Sequence, residues 1–292
     1  IFGGTISTAY AYIADVTSET ERGRGMALIG MAFGIGFTLG PAIGGLGYNL
    51  HPMAPGLIAA AFSAGAFLFA WRRLTEPERR RPTTRGTWFD TKAFARAMGR
   101  PGIGMLLLAV FVTVSCFALM ESTLGLLAKR IYTFDIHEVG LLFTYLGFWI
   151  ALTQGMIVRR LMPKVGEVRL ARIGSVLLAA GLFLLSLDLT VGYLAAVAPI
   201  SVLGFGMVVP SVNSLLSRRT PADEQGGVMG ISQSLQSLAR IVGPMAGLSL
   251  FDMSWPLPFR AGAAGMIVAA LLALALKPPP PRDEGTEGMT PA

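Results

Sequence analysis

The sequence predicts an all-α membrane protein of about nine spanning helices, and three observations carry that prediction. Of the 292 residues, 53% are hydrophobic and only 14% are charged, where a soluble domain carries about 25% charged residues. The apolar residues gather in runs of about 20, the length a helix needs to cross ~30 Å of hydrocarbon. Lysines and arginines fall in alternate connections between those runs. Strict apolar/polar alternation, the mark of a membrane barrel, is absent. The mean hydropathy of +0.60 agrees.

Nine segments follow in order: 1–15, 25–48, 55–72, 102–128, 138–160, 170–188, 190–216, 227–251 and 257–276. The first covers only about two-thirds of a bilayer at ~1.5 Å per residue, so we expect further helices upstream. No charged n-region or cleavage site marks it as a signal peptide. The cuts near Asp188 and within 190–216, which holds Pro199 and Pro210, are the least marked. Proline is tolerated in membrane helices where neighbours re-satisfy the freed carbonyls.

Orientation follows from the basic residues. With the loop after residue 15 on the cytoplasmic side, 20 lysines and arginines fall on that side. Only Lys129, Arg130 and Arg260 fall opposite, and Arg240 lies within a span. The formal charge of +7 therefore reads as a membrane topology signal, and no nucleic-acid partner is expected. The loop 73–101 carries Arg79, Arg80 and Arg81, then Trp88, Phe89, Lys92, Phe94, Arg96 and Met98. It is either a solvated linker or a short helix lying in the headgroup region. The prolines and acidic residues of 278–292 predict a disordered tail. Cys116 is single and cannot form an internal disulfide. His51 and His137 read as loop residues without metal-ligand spacing.

A repeat runs at a constant offset of 203 residues. Thr17 matches Thr220, Glu21 matches Glu224, Met26 matches Met229, Gly40 matches Gly243, Pro41 matches Pro244 and Gly44 matches Gly247. Upstream, Phe2 and Gly3 match Phe205 and Gly206. Both copies run the same way through the membrane, and six spans separate them.

Within the first copy, Gly36, Gly40 and Gly44 share one helix face at spacing four. Small residues at that spacing let helix backbones approach closely. Gly40, Pro41, Gly44 and Gly45 are expected to interrupt regular hydrogen bonding near the outer end. The face is either plain helix packing or a bendable contact between two halves.

Charged residues inside spans are costly and mark functional candidates. Glu121 lies about two-thirds along 102–128 and Arg240 past the middle of 227–251, at matching depth in the outer half. They are expected either to pair or to serve singly, Glu121 as a proton carrier and Arg240 as a structural cation. Asp15, at a cytoplasmic helix end, is a partner for Arg22 and a gate candidate. Polar cavity candidates are Tyr10, Gln154, Asn213, Gln233 and Gln236, with Gln233 and Gln236 on the face of Arg240. Tyr145 and Trp149 form an aromatic pair, either a packing stripe or a platform for an aromatic solute.

Tyr12, Ala14, Asp15 and Thr17, then Glu21 and Arg22, then Gly36, Gly40, Pro41, Gly44 and Gly45, resemble helices four and five of major facilitator drug/proton antiporters. The tetracycline-efflux branch is the nearest type. The resemblance covers the ordered chain, and the parallel repeat is how the two halves of such transporters are related. It implies a 6 + 6 architecture with the equivalents of helices 4–12 present. Residues 1–72 would be part of the first bundle, 73–101 the inter-domain loop and 102–277 the second bundle. The Gly–Pro stretch would be the family's antiporter motif, which seals the halves against leak. The loop from Arg159 to Glu167 is a degenerate form of the family's pattern, lacking its Asp-Arg pair.

The implied function is secondary transport of a small organic solute, with efflux driven by a proton gradient and no bound cofactor. The implied setting is a bacterial-type inner membrane, with a monomer surrounded by lipid. Rivals are uptake by the same fold and a non-transporting sensor or scaffold. A membrane enzyme is disfavoured: metal clusters, a Gly-Asp protease pair and a nucleotide-binding loop are all missing from the sequence.

Overall fold

The protein is known from a computed structural model, which describes residues 51–74, 91–188, 190–221 and 224–275 and scattered positions among 9–50. Among the described residues there are helices and turns and no strand. The tail at 278–292 and most of 1–50 lie outside them.

The first continuous helix, α1 (Ala54–Arg73), starts at a proline and ends on Arg72 and Arg73. Proline at the first positions loses no helix bond, and cations suit the negative C-terminal end. None of its residues is buried. The stretch between α1 and the next long helix contains α2 (Thr91–Gly99). It folds back onto the start of α3 (Pro101–Arg130): a Cβ on Gly104 would collide with the Met98 carbonyl, and Ala97 joins a buried cluster with Leu216 and Val228. Of the two readings of this loop, the described part is a helix docked on the bundle.

α4 (Ile136–Leu152) begins with a full capping box. Asp135 Oδ1 accepts from Glu138 N–H at 2.7 Å, and Asp135 N–H donates to Glu138 Oε2 at 2.9 Å. His137 therefore lies in the first turn of a helix and not in a loop. α4 continues through a π-helical segment, Thr153–Val158, into α5 (Arg159–Val165). Gly166, at φ +83°, stops it in a conformation that only glycine takes freely. Then come α6 (Glu167–Leu185), α7 (Val191–Arg219), α8 (Gln225–Met253) and α9 (Leu257–Ala275). Pro199 and Pro210 lie inside α7, which remains one helix.

Every described span lies within a few residues of its predicted segment. Among the described residues, six helices are long and apolar enough to cross a membrane. α8 is as long as α7, at 29 residues, but its glutamines, serines, glycines and Arg240 dilute its hydropathy.

The core forms where α6 packs on α7, α8 on α3, and α9 against both α3 and α6. Leu106, Met120, Leu178, Leu215 and Met266 are fully buried there. Glycines set the spacing: a Cβ on Gly174 would lie 2.8 Å from the carbonyl of Gly204. Several buried hydroxyls on these helices donate to their own backbone, as Thr113 does to Ala109 O at 2.7 Å and Ser211 to Met207 O at 2.7 Å. That satisfies them without a partner helix. Arg172 donates to the carbonyls of Ala273 and Leu274, each at 2.9 Å, and so caps the end of α9.

Candidate functional site

The intramembrane charges sit on the tightest helix pair around α3. α8 approaches so closely that a Cβ on Gly243 would lie 2.5 Å from the Ser115 carbonyl oxygen and 3.0 Å from Ala118 Cβ. One turn on, a Cβ on Gly247 would lie 3.0 Å from both Leu119 O and Thr123 Oγ1. Only glycine lets α8 sit here, and the approach brings Arg240 within electrostatic reach of Glu121 on α3. Glu121 is half-buried, and Arg240 reaches the surface of the described bundle.

Toward the other end of α8, polar groups meet across a helix boundary. Gln236 Nε2 donates to Ser232 Oγ at 3.3 Å, and Ser232 Oγ donates to Asn213 Oδ1 of α7 at 3.5 Å. Ser232 and Gln236 are buried. Unpaired polar groups in such a place would be costly, so the three side chains hold one another. Gln233 is half-buried, and its carbonyl accepts from Ser237 Oγ at 3.0 Å.

The aromatic groups are used for packing. Phe117 of α3 stacks on Phe205 of α7, with ring centroids 3.8 Å apart and planes at 15°. Tyr145 and Trp149 meet edge to face at 6.3 Å, and Tyr145 Oη donates to Ala195 O at 2.9 Å. Tyr145 thereby docks α4 on α7.

Gln154 belongs elsewhere. It lines a cavity of about 520 Å³ with Arg159, Glu167 and Arg218, at the end of the bundle where the basic connections lie. The polar candidates thus divide into the α7–α8 network, the Glu121/Arg240 pair and this cavity.

Of the Gly–Pro motif, Gly36, Gly40 and Gly44 are helical, and a Cβ on any of them would meet nothing within 4 Å among the described residues. Pro41 and Gly45 lie outside the described residues, as do Tyr10, Asp15 and Arg22. In the second copy, Gly243 and Pro244 sit inside an uninterrupted α8, so there the motif governs approach and leaves the helix whole. Among the described residues no cluster of His, Cys, Asp and Glu suits a metal ion.

Sequence reasoning missed Ser232, Glu167 and Arg218. Ser232 was findable, since it precedes Gln236 by one turn on the same face. Arg218 donates to Glu167 Oε1 at 2.8 Å across 51 residues, a pairing with no local signal.

The chain is similar to several known proteins. Multidrug resistance protein 1 of Bacillus subtilis is 28% identical over 285 residues, covering 94% of this chain and 72% of its own length. Major facilitator superfamily domain-containing protein 10 of Bos taurus is 31% identical, with 85% of this chain and 58% of the relative covered. Tetracycline resistance protein, class D, of Salmonella ordonez is 29% identical, with 87% and 64% covered. The crystal structure of the human organic anion transporter MFSD10 (TETRAN) superposes with a TM-score of 0.75 at 27% identity, over 92% of this chain and 68% of that one. The chain thus spans from somewhat over half to about seven-tenths of the length of these proteins. The family model for the Major Facilitator Superfamily matches residues 1–244. That is a family of membrane transporters and not of enzymes, and by this match the chain belongs to it.

Proposed function

We propose that the protein exports a small organic solute by alternating access, exchanging it for inward-moving protons. The observation that carries this reading is the Glu121/Arg240 pair, held within spans by the glycine contact of α8 on α3. A carboxylate facing a guanidinium inside the membrane can accept a proton and release its partner, which is the exchange that antiport needs. Charges at such depth persist only with a partner or a task. The printed names of the multidrug and tetracycline resistance relatives support efflux of organic molecules.

The same reading places the basic connections on the cytoplasmic side of a bacterial-type inner membrane. Residues 1–72 and 102–277 then belong to the two bundles, with 73–101 joining them, and the protein acts as a monomer in lipid. The proton gradient serves as coupling agent without a bound cofactor. Asp15 and Arg22 remain the proposed cytoplasmic gate, and Tyr10, Asn213, Gln233 and Gln236 the proposed cavity lining.

Vesicles reconstituted with the protein test this. An imposed proton gradient should drive uptake of a labelled multidrug or tetracycline-type substrate. Glu121→Gln should slow that flux at least tenfold, with downhill exchange little changed. Equal slowing of both, or no gradient-driven flux at all, rejects the proton role.

A further inference from the structure

The cavity beside Gln154 is built by three breaks in regular helix. The π-helical turns of Thr153–Val158 widen the backbone and reset the face on which Gln154 and Arg159 point; such turns recur at functional sites. Gly166 ends α5 at φ +83°, and α6 starts immediately with no side-chain cap from Gly166. Since Gly166 and Glu167 line the cavity, the positive end of the α6 dipole lies in its wall, an arrangement that favours anions.

The charges in the cavity do not cancel. Glu167 Oε1 is already engaged by Arg218 at 2.8 Å and Ser214 at 3.2 Å. Arg218 therefore offsets Glu167. The Arg159 guanidinium has no ion-pair or hydrogen-bond partner among the described residues. Gln154 adds amide donors. Beyond the rim, Arg160 and Lys164 are exposed.

The depth of the cavity identifies the source of an anion. The span Ile136–Val165 has 30 residues, or about 45 Å of helix, against ~30 Å of hydrocarbon. That leaves length for its last two turns, with Arg159, to extend among the headgroups on the side of the basic connections. Met156, three residues before Arg159, is 46% exposed and offers apolar surface at the boundary.

We propose that this cavity binds the phosphate headgroup of an anionic phospholipid from the leaflet that faces the basic loops. Arg159 contacts the phosphate, Gln154 and the α6 N-terminus supply further donors, and an acyl chain leaves past Met156. Basic pockets between helices on this side of a membrane take such headgroups. The site is independent of the transport reading, because it is defined by binding alone.

The test is titration of the delipidated full chain in detergent with short-chain phosphatidylglycerol, phosphatidylcholine and inorganic phosphate, read by native mass spectrometry. Phosphatidylglycerol should bind in preference to the other two. Arg159→Gln should weaken it by about fivefold, the worth of one basic residue at an anionic surface. Glu167→Gln, which frees Arg218, should tighten it. Arg169→Gln, the same charge change on an exposed residue outside the cavity, should alter it by less than about twofold.

Three results overturn the proposal. Equal losses from Arg159→Gln and Arg169→Gln would leave only surface charge. Equal binding of phosphatidylcholine would show that the headgroup charge is not read. Inorganic phosphate competing at equal concentration would make it a site for a soluble anion. If Arg159→Gln fails to fold, the direction of the Glu167→Gln effect decides, and looser binding there rejects the site.

Discussion

The two copies of the Gly–Pro repeat carry the same residues in unlike surroundings. In the second, Gly243 and Gly247 lie hard against the backbone of α3; in the first, a Cβ on Gly40 or Gly44 meets nothing within 4 Å among the described residues. The motif therefore encodes a capacity for close approach, and the partner decides whether the capacity is used. A second difference lies on the same helix. At the positions of Ser232, Gln236 and Arg240, the first copy has Ile29, Phe33 and Phe37. The shared glycines are the packing surface, while the polar and charged side chains distinguish the second copy.

The sharpest way to break this comparison is to add one methyl group to each copy. Gly243→Ala must push α8 off the Ser115 carbonyl and should cost about 1–3 kcal/mol, as overpacking does. Gly40→Ala should be neutral or gain up to about 1 kcal/mol from helix propensity. Unfolding of both variants in detergent measures the difference, and equal effects would show that the contrast between the copies is false.

Much of this contrast was legible in advance. Spans, repeat register and glycine faces are local or periodic, so hydropathy and spacing expose them. The capping box of Asp135 and Glu138 was also present in the sequence, yet hydropathy started that span two residues late. The π-helical turns were not readable, because Thr153–Val158 keeps an apolar pattern whichever way its bonds close. Arg100 with Glu224, and Arg218 with Glu167, join residues far apart in sequence, and nothing in either local pattern names the other. For Glu121 and Arg240 the sequence left pairing and single roles both open, and the close approach of α8 to α3 brings the two within electrostatic reach.

A smaller effect separates the copies by their polar residues. Ser232→Ala should cost about 0.6 kcal/mol, the mean for hydrogen bonds between membrane helices, because Asn213 loses its donor from α8. A hydrogen–deuterium exchange measurement on α7 should show faster opening near Asn213. No change would mean that the network contributes nothing to holding α7 against α8.

The smallest effect concerns Glu224, the counterpart of Glu21. Two hydrogen bonds from Arg100, one of 2.9 Å, hold its carboxyl below the ordinary carboxylate value. A depressed value means that this pair stabilises the fold fully above about pH 4, the unfolded value. The stabilisation fades as pH falls through the lower folded value. Glu224→Gln should lower the thermal midpoint slightly at pH 7 and converge with the parent as the pH falls below the depressed folded value. Curves that stay parallel across that range would remove the linkage. Both side chains are largely exposed, so the effect is modest.

The helices also differ in length, and length sets which bilayer suits the protein. α6 and α9 have 19 residues each, or about 28 Å, and they lie packed on one another. α3 and α7, at 30 and 29 residues, have length to spare and can tilt or project. The short pair cannot stretch. In a thicker, sterol-rich membrane the lipid around α6 and α9 must thin, at fractions of a kcal/mol per Å of mismatch. One side of the molecule would thus act as a gauge of membrane thickness, favouring residence where the hydrocarbon is thin.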